Sequence, residues 1–199
     1  MALTDPGSPG ATPLDAEQIK GLRLPFITTQ GELNRQEQAN ILRGRRWAQG
    51  ARSAVMPGML SHEFVDELHR RMYGDVWAWA GRQRKTDTNI GVSFTQIGVA
   101  LRELFDDAKC WLDVKTYEPV EFAVRLHHRL VAIHPFPNGN GRHARFYADL
   151  ILDRHFKRDR LTWGSGPLGN EDPRRADYIA ALRAADSHDY AVLLKFATS

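Results

Sequence analysis

Cysteine is nearly absent: Cys110 is the single one in 199 residues. That rules out an intramolecular disulfide and suits a reducing compartment, so a cytoplasmic location is expected. No apolar run approaches the length of a membrane span, and the first residues lack the apolar stretch of a secretory leader. Charge of one sign is also missing, with 27 Lys and Arg against 24 Asp and Glu for a net +3. There is no polybasic arm, and direct contact with nucleic acid is not expected. No internal repeat is present. There is no HExxH, and the adjacent His127 and His128 must point different ways on a helix, which speaks against zinc. No Gly-Lys-Ser/Thr follows the glycine-rich stretch, which speaks against a Walker-type NTPase. Cys110 lies between Ala108 and Trp111 with no neighbour to activate a thiol, so it is expected to pack and not to react.

What the sequence does have is concentrated in Ile133-His134-Pro135-Phe136-Pro137-Asn138-Gly139-Asn140-Gly141-Arg142-His143-Ala144-Arg145. Glu121 to Ile133 reads as a helix with one apolar stripe of Phe122, Leu126, Leu130 and Ile133. Prolines at 135 and 137 disfavour helical geometry at the residues before them, so the helix should end near His134. Gly139 and Gly141 permit a tight turn, and a second helix resumes with Ala144, Tyr147, Ala148, Ile151 and Leu152 inward. A glycine-bearing loop that opens a helix favours an anion, through free N–H groups and the helix dipole. Arg142 and Arg145, three apart, fall beside it. The segment reads as a phosphate cradle with a histidine at its lip.

Around this centre the chain reads as mainly α. Met1 to Pro13 is rich in Gly, Pro, Ser and Thr and suggests an extended arm. Gln36 to Gln49 reads as a helix preceding the core, and its run of Arg43, Arg45 and Arg46 as a solvated face. Ser61 can cap a helix with Phe64, Leu68 and Met72 inward. Trp77 and Trp79 read as core. Ile90, Val92 and Phe94 alternate between polar residues and predict a short β-hairpin. Ile97, Leu101, Leu104, Phe105, Ala108, Trp111 and Leu112 mark a strongly amphipathic helix. Near the end, Asp172 before Pro173 should start a helix with Tyr178, Ile179 and Leu182 inward, and Ser187 should cap the last helix, with Tyr190, Leu193 and Leu194 inward.

The segment from His134 to Arg145 resembles the motif of the Fic family (Fic/Doc, or Fido), HPFx(D/E)GNGRxxR, at every specified position but one: Asn138 stands where an acidic residue is usual. The resemblance runs from about Leu60 to the C-terminus and includes Trp79-Ala80-Gly81. The stretch Thr28 to Trp47 and the overall length most resemble the subgroup called mobile mystery protein B. The implied fold is a Fic-type helical bundle with one small β-hairpin, the flap, beside the active-site loop. The implied division is an arm over 1–25, a helical extension over 26–58 that could be inhibitory, and a Fic domain over 59–199.

This resemblance implies the transfer of AMP from ATP to a Ser, Thr or Tyr hydroxyl of a protein target, with His134 as general base. Gly139, Asn140, Gly141, Arg142 and Arg145 would bind the nucleotide, and Asn138 would face Mg²⁺. Lys85, Thr86, Asn89 and Ile90 on the flap would align the target by strand addition. In many Fic proteins an inhibitory glutamate in a (S/T)xxxE(G/N) motif pairs with the second motif arginine; Glu32 and Glu37 are the candidates here. The subgroup also implies a small helix-turn-helix, antitoxin-like companion. Two other readings stay open: a related transferase moving UMP, GMP or phosphate, and a non-catalytic nucleotide-binding module.

Overall fold

Helix α1, Gln30–Gly50, starts earlier than the apolar pattern from Gln36 suggested. In the computed structural model, which describes residues 19–50, 55, 58–165 and 174–199, the reason is a capping box. The Glu32 amide donates to Thr29 Oγ1 at 3.3 Å, and the Thr29 amide donates back to Glu32 Oε2 at 3.1 Å. Helix α2, His62–Tyr73, is capped by Ser61, whose Oγ accepts the Phe64 amide at 3.2 Å. The two helices cross tightly at Gly44, where an added Cβ would lie 2.7 Å from the Met72 backbone. Leu33 and Ala48 of α1 pack into the same core as Phe64, Leu68 and Met72.

A 3-10 turn, Phe94–Gln96, leads into α3, Ile97–Asp113, which buries Ile97, Leu101, Leu104, Phe105 and Ala108. Cys110 is exposed on its outer face, so it does not pack as expected. Helix α4, Pro119–Ile133, is the centre of the bundle. Beyond its expected stripe it buries Ala123, Val124, His127 and His128, so little of its circumference meets water. Each large apolar side chain on it contributes about 1.5–3 kcal/mol of burial. Helix α5, Asn140–Ile151, continues into a single π-helical turn, Leu152–Phe156. Helices α6, Arg174–Asp186, and α7, Ala191–Ala197, close a second apolar cluster with Ala123, Val124, Ala148 and Trp163.

Several expectations need correction. The inward face of α6 is Tyr178, Ala181 and Ala185, with Ile179 and Leu182 at its edge. Ser187 does not cap α7; the Asp189 carboxylate accepts the Ala191 amide at 3.1 Å. The arginine run on α1 is not simply solvated, for Arg43 meets Asp75 at 2.8 Å and Arg45 lies over the Phe146 ring at 4.7 Å. Most of the proposed arm, and the Asp172–Pro173 start of α6, lie outside the described residues.

The expected hairpin is the main correction, for no strand forms between Arg82 and Ser93. Side chains there bond to nearby backbone in place of a ladder: Thr88 Oγ1 donates to the Ile90 carbonyl at 2.6 Å, and Asp87 accepts the Phe94 amide at 2.8 Å. Alternating apolar residues in so polar a loop were not enough to make a sheet. An antiparallel bridge joins Leu22 to Trp77. No helix among the described residues is long and apolar enough to cross a membrane.

Candidate active site

The site is built where α4 stops and α5 starts. His134 caps α4 in the left-handed conformation, φ 54° and ψ 59°, with its amide still bonded to the Leu130 carbonyl at 3.2 Å. Pro135 bars helical continuation, and the left-handed residue swings the chain away from the helix. Such a conformation costs a non-glycine residue about 1–2 kcal/mol, so its surroundings must hold it. Asn140 braces the turn that follows. Its buried side chain accepts the Phe136 amide at 2.9 Å and donates to the Phe136 carbonyl at 2.8 Å. Asn140 can therefore offer an anion its backbone but not its committed amide side chain.

Gly139 has φ 79°, and an added Cβ would lie 2.6 Å from the Tyr73 ring, so this position needs glycine on both counts. The Tyr73 hydroxyl donates to the Gly139 carbonyl at 3.3 Å. Burial pushes the Tyr73 phenol up to about 12, which keeps it a donor. His69 supports the next residue back. Its Nδ1 accepts the Gly81 amide at 3.0 Å, which leaves Nε2 to donate to the Asn138 carbonyl at 3.0 Å. Its partners thus define a neutral tautomer, in keeping with burial holding its pKa well below the usual histidine range.

His134 is 5% exposed, and neither ring nitrogen makes a hydrogen bond of full geometry, the Val131 carbonyl acting on the ring only weakly. Burial, then the Arg84 guanidinium, lower its pKa to about 4, so at neutral pH the ring is uncharged and able to take a proton. Arg142 and Arg145 leave α5 on the cradle side. Arg145 lies over the Tyr178 ring at 5.1 Å, and the Tyr178 hydroxyl meets His127 Nε2 at 2.9 Å. Arg142 lies over Tyr73 at 5.3 Å and its Nη1 is 2.8 Å from Glu37 Oε2. Glu37, 7% exposed, also accepts from Trp77 Nε1 at 2.7 Å. A carboxylate of α1 is thus fixed on an arginine of the anion cradle.

Of the two glutamate candidates, Glu37 alone reaches the motif arginines, and it meets the first of them, not the second. Glu32 turns back to its own helix start, accepting from the Thr28 and Thr29 amides. His127 and His128 diverge as expected, to Tyr178 and to Asp186 with Tyr190. Asn138 points its Oδ1 at the Gly139 amide, 2.7 Å away, which occupies one of the N–H groups assigned to phosphate. Lys85, Thr86, Asn89 and Ile90 are all exposed on the loop beside His134. Sequence reasoning missed Arg84, Trp77, His69, Tyr73 and Tyr178, for none of them carries a motif signal of its own.

The bundle thus sets a histidine-capped helix against a glycine-opened helix that carries two arginines in its first turns. Residues 59–152 match the model of the Fic/DOC family. Over 142 residues, 69% of the chain, it is 32% identical to protein adenylyltransferase fic-1 of Caenorhabditis elegans, and that match spans 26% of the worm protein. The solved structure of C. elegans Fic-1 superposes with a TM-score of 0.61 at 26% identity, over 88% of this chain and 49% of that one. The N-terminal Fic domain of a Bartonella quintana effector, with bound ADP, superposes with a TM-score of 0.66 at 16% identity, over 87% of this chain and 86% of that one. The chain therefore spans about a quarter of the length of the curated relative it matches.

Proposed function

We propose that the chain is a protein adenylyltransferase, which moves AMP from ATP to a hydroxyl side chain of a protein target. The observation that carries this reading is the pairing of an uncharged, buried His134 with a helix N-terminus flanked by Arg142 and Arg145. A base beside an anion cradle is what attack of a hydroxyl on a phosphorus atom requires. The adenylyltransferase name of the C. elegans relative supports the nature of the donor.

In the proposed reaction, backbone N–H groups at Asn140 and Gly141 take the phosphates, and the Gly139 amide joins them once Asn138 Oδ1 releases it. Arg142 neutralises charge near the bridging and β-phosphate oxygens, and Arg145 holds the γ-phosphate through its fork of donors. His134 takes the proton of the target hydroxyl. The oxygen attacks the α-phosphorus, the bond to the β-phosphate bridging oxygen breaks, and pyrophosphate leaves with that electron pair. The exposed loop residues Lys85, Thr86, Asn89 and Ile90 would receive the target backbone.

Mg²⁺ fits this site as a lightly held ion. No group of three His, Cys, Asp or Glu converges among the described residues, and Asn138 offers one neutral oxygen already bonded to an amide. Asn138 Oδ1 would be the residue to hold it, and the ion would supply positive charge to the phosphates. The Thr28–Trp47 stretch supports membership of the mobile mystery protein B subgroup, and with it a small helix-turn-helix companion; co-purification with a neighbouring small protein tests that. Glu37 on Arg142 supports a self-restrained resting state, in which the carboxylate competes with nucleotide phosphate for the same cation.

Labelled ATP, GTP, UTP and CTP are incubated with lysate and the chain, wild type beside His134→Ala. A protein adduct of AMP that needs His134 supports the reading. Label transfer from another nucleotide alone, or no label at all, overturns it.

A further inference from the structure

We infer that Arg84 is a positioning residue for His134: it ties the target-docking loop and the base into one unit, so that the loop and the ring hold their places together. This rests on reading His134 as the base. Arg84 is 4% exposed, and a buried arginine needs most of its five donors satisfied. Its Nε, Nη1 and Nη2 each donate to a carbonyl of the turn or of the loop. Three successive carbonyls of the active-site turn receive bonds from the loop: Ile133 from the Val92 amide at 3.4 Å, His134 from Arg84 Nε at 2.8 Å, and Pro135 from the Arg84 amide at 2.9 Å. The rest of the guanidinium spans the loop itself, Nη1 donating to the Thr86 carbonyl at 2.9 Å and Nη2 to the Val92 carbonyl.

The loop is therefore not held by its own strands, as a hairpin would be, but by one cation that grips both of its arms. That accounts for the missing ladder, and also for how a left-handed histidine stays in place. Gly91 completes the fit: at φ 104° an added Cβ would lie 2.6 Å from His134 Cβ and 2.9 Å from Arg84 Nη2. Thr86, whose carbonyl Arg84 holds, and Ile90 border the face left for a target. Asp87, 3.6 Å from Arg84 Nη1, is mostly exposed and leaves the cation's field at His134 largely intact. From the other elements, α4 contributes the Val131 carbonyl to the ring, which acts in the opposite and smaller sense. Arg142 and Arg145 of α5 are directed instead at Glu37 and Tyr178.

The test compares wild type with Arg84→Gln and Arg84→Lys. Proton NMR follows the His134 ring through a pH titration, assigned by its loss in His134→Ala, while steady-state kinetics follow transfer. In Arg84→Gln the His134 titration should move up from about 4 by about one pKa unit toward the usual histidine value. Its kcat should fall about 10- to 100-fold as the ring and loop lose register, with ATP affinity unchanged. Arg84→Lys keeps the charge but cannot bridge several carbonyls, so its titration should stay low while kcat still falls. Melting curves establish that each chain is folded; should the Gln variant fail to fold, the Lys variant carries the test. An unmoved titration in folded Arg84→Gln, or full activity in Arg84→Lys, overturns the inference. A shifted titration in a protein whose wild type transfers nothing would sink the transferase reading and leave this one standing.

Discussion

The two ends of the segment His134–Arg145 are in different states. At the first, His134, the proposed base, is buried, uncharged and gripped through its carbonyl by Arg84. At the second, the cradle is turned inward on the protein itself, with Arg142 on Glu37 and the Gly139 amide on Asn138. A base can be built in advance because a neutral ring costs little to bury. A cluster of guanidinium groups cannot wait unpartnered as cheaply, so something anionic must face it until the substrate does. The difference teaches that readiness for proton transfer and readiness for phosphate are separate properties of one loop, set by different elements.

The hardest way to break the comparison is to remove the base. His134→Ala should lower kcat/KM for transfer by about two to four orders of magnitude with calorimetric ATP affinity nearly intact. The pH profile sharpens the same point. A pKa lowered to about 4 keeps His134 deprotonated well below the usual histidine range, so kcat/KM should hold level down to about pH 5 and fall only as pH nears 4. An acid limb centred at the ordinary histidine value would contradict a buried, uncharged ring.

At the other end, Arg145→Ala should weaken ATP roughly 10- to 100-fold and AMP much less, the loss of one charge-assisted bond to a terminal phosphate. Equal losses for both nucleotides in calorimetry would remove Arg145 from that phosphate. Asn138→Asp supplies charge where there is now a neutral amide, and should lower the Mg²⁺ concentration for half-maximal rate by about threefold without changing the transferred group. An unmoved Mg²⁺ curve would end the metal role of Asn138. The smallest effect belongs to Glu32→Ala, which removes half of a capping box and should lower the melting temperature by about 2 °C while leaving transfer unchanged. Faster transfer in that variant would mean that Glu32, and not Glu37, restrains the enzyme.

Much of this was legible in the sequence because it depends on local rules. The stripe of α4, the stop at Pro135, the glycine turn and the restart of α5 all follow from periodicity and the conformational limits of two residue types. The failures have a common physical cause. A hairpin was read from Ile90, Val92 and Phe94, but the loop's geometry is set by Arg84, fifty positions from the carbonyl it holds. Glu37 was a candidate through the resemblance alone, and its partners Trp77 and Arg142 could not be read from the chain because they come from other elements. Glu32 is engaged by the Thr28 and Thr29 amides at its own helix start. Spacing within one element can be read from the chain, whereas a contact between elements depends on the packing that brings them together.

The most direct measurement is the rate of AMP transfer by four chains: wild type, Glu37→Gln, His134→Ala and the double variant. If the base waits ready behind an anion end that Glu37 holds, Glu37→Gln should run roughly tenfold faster than wild type, and the double variant should be as inactive as His134→Ala. A Glu37→Gln chain no faster than wild type, or a double variant that still transfers AMP, would contradict the account.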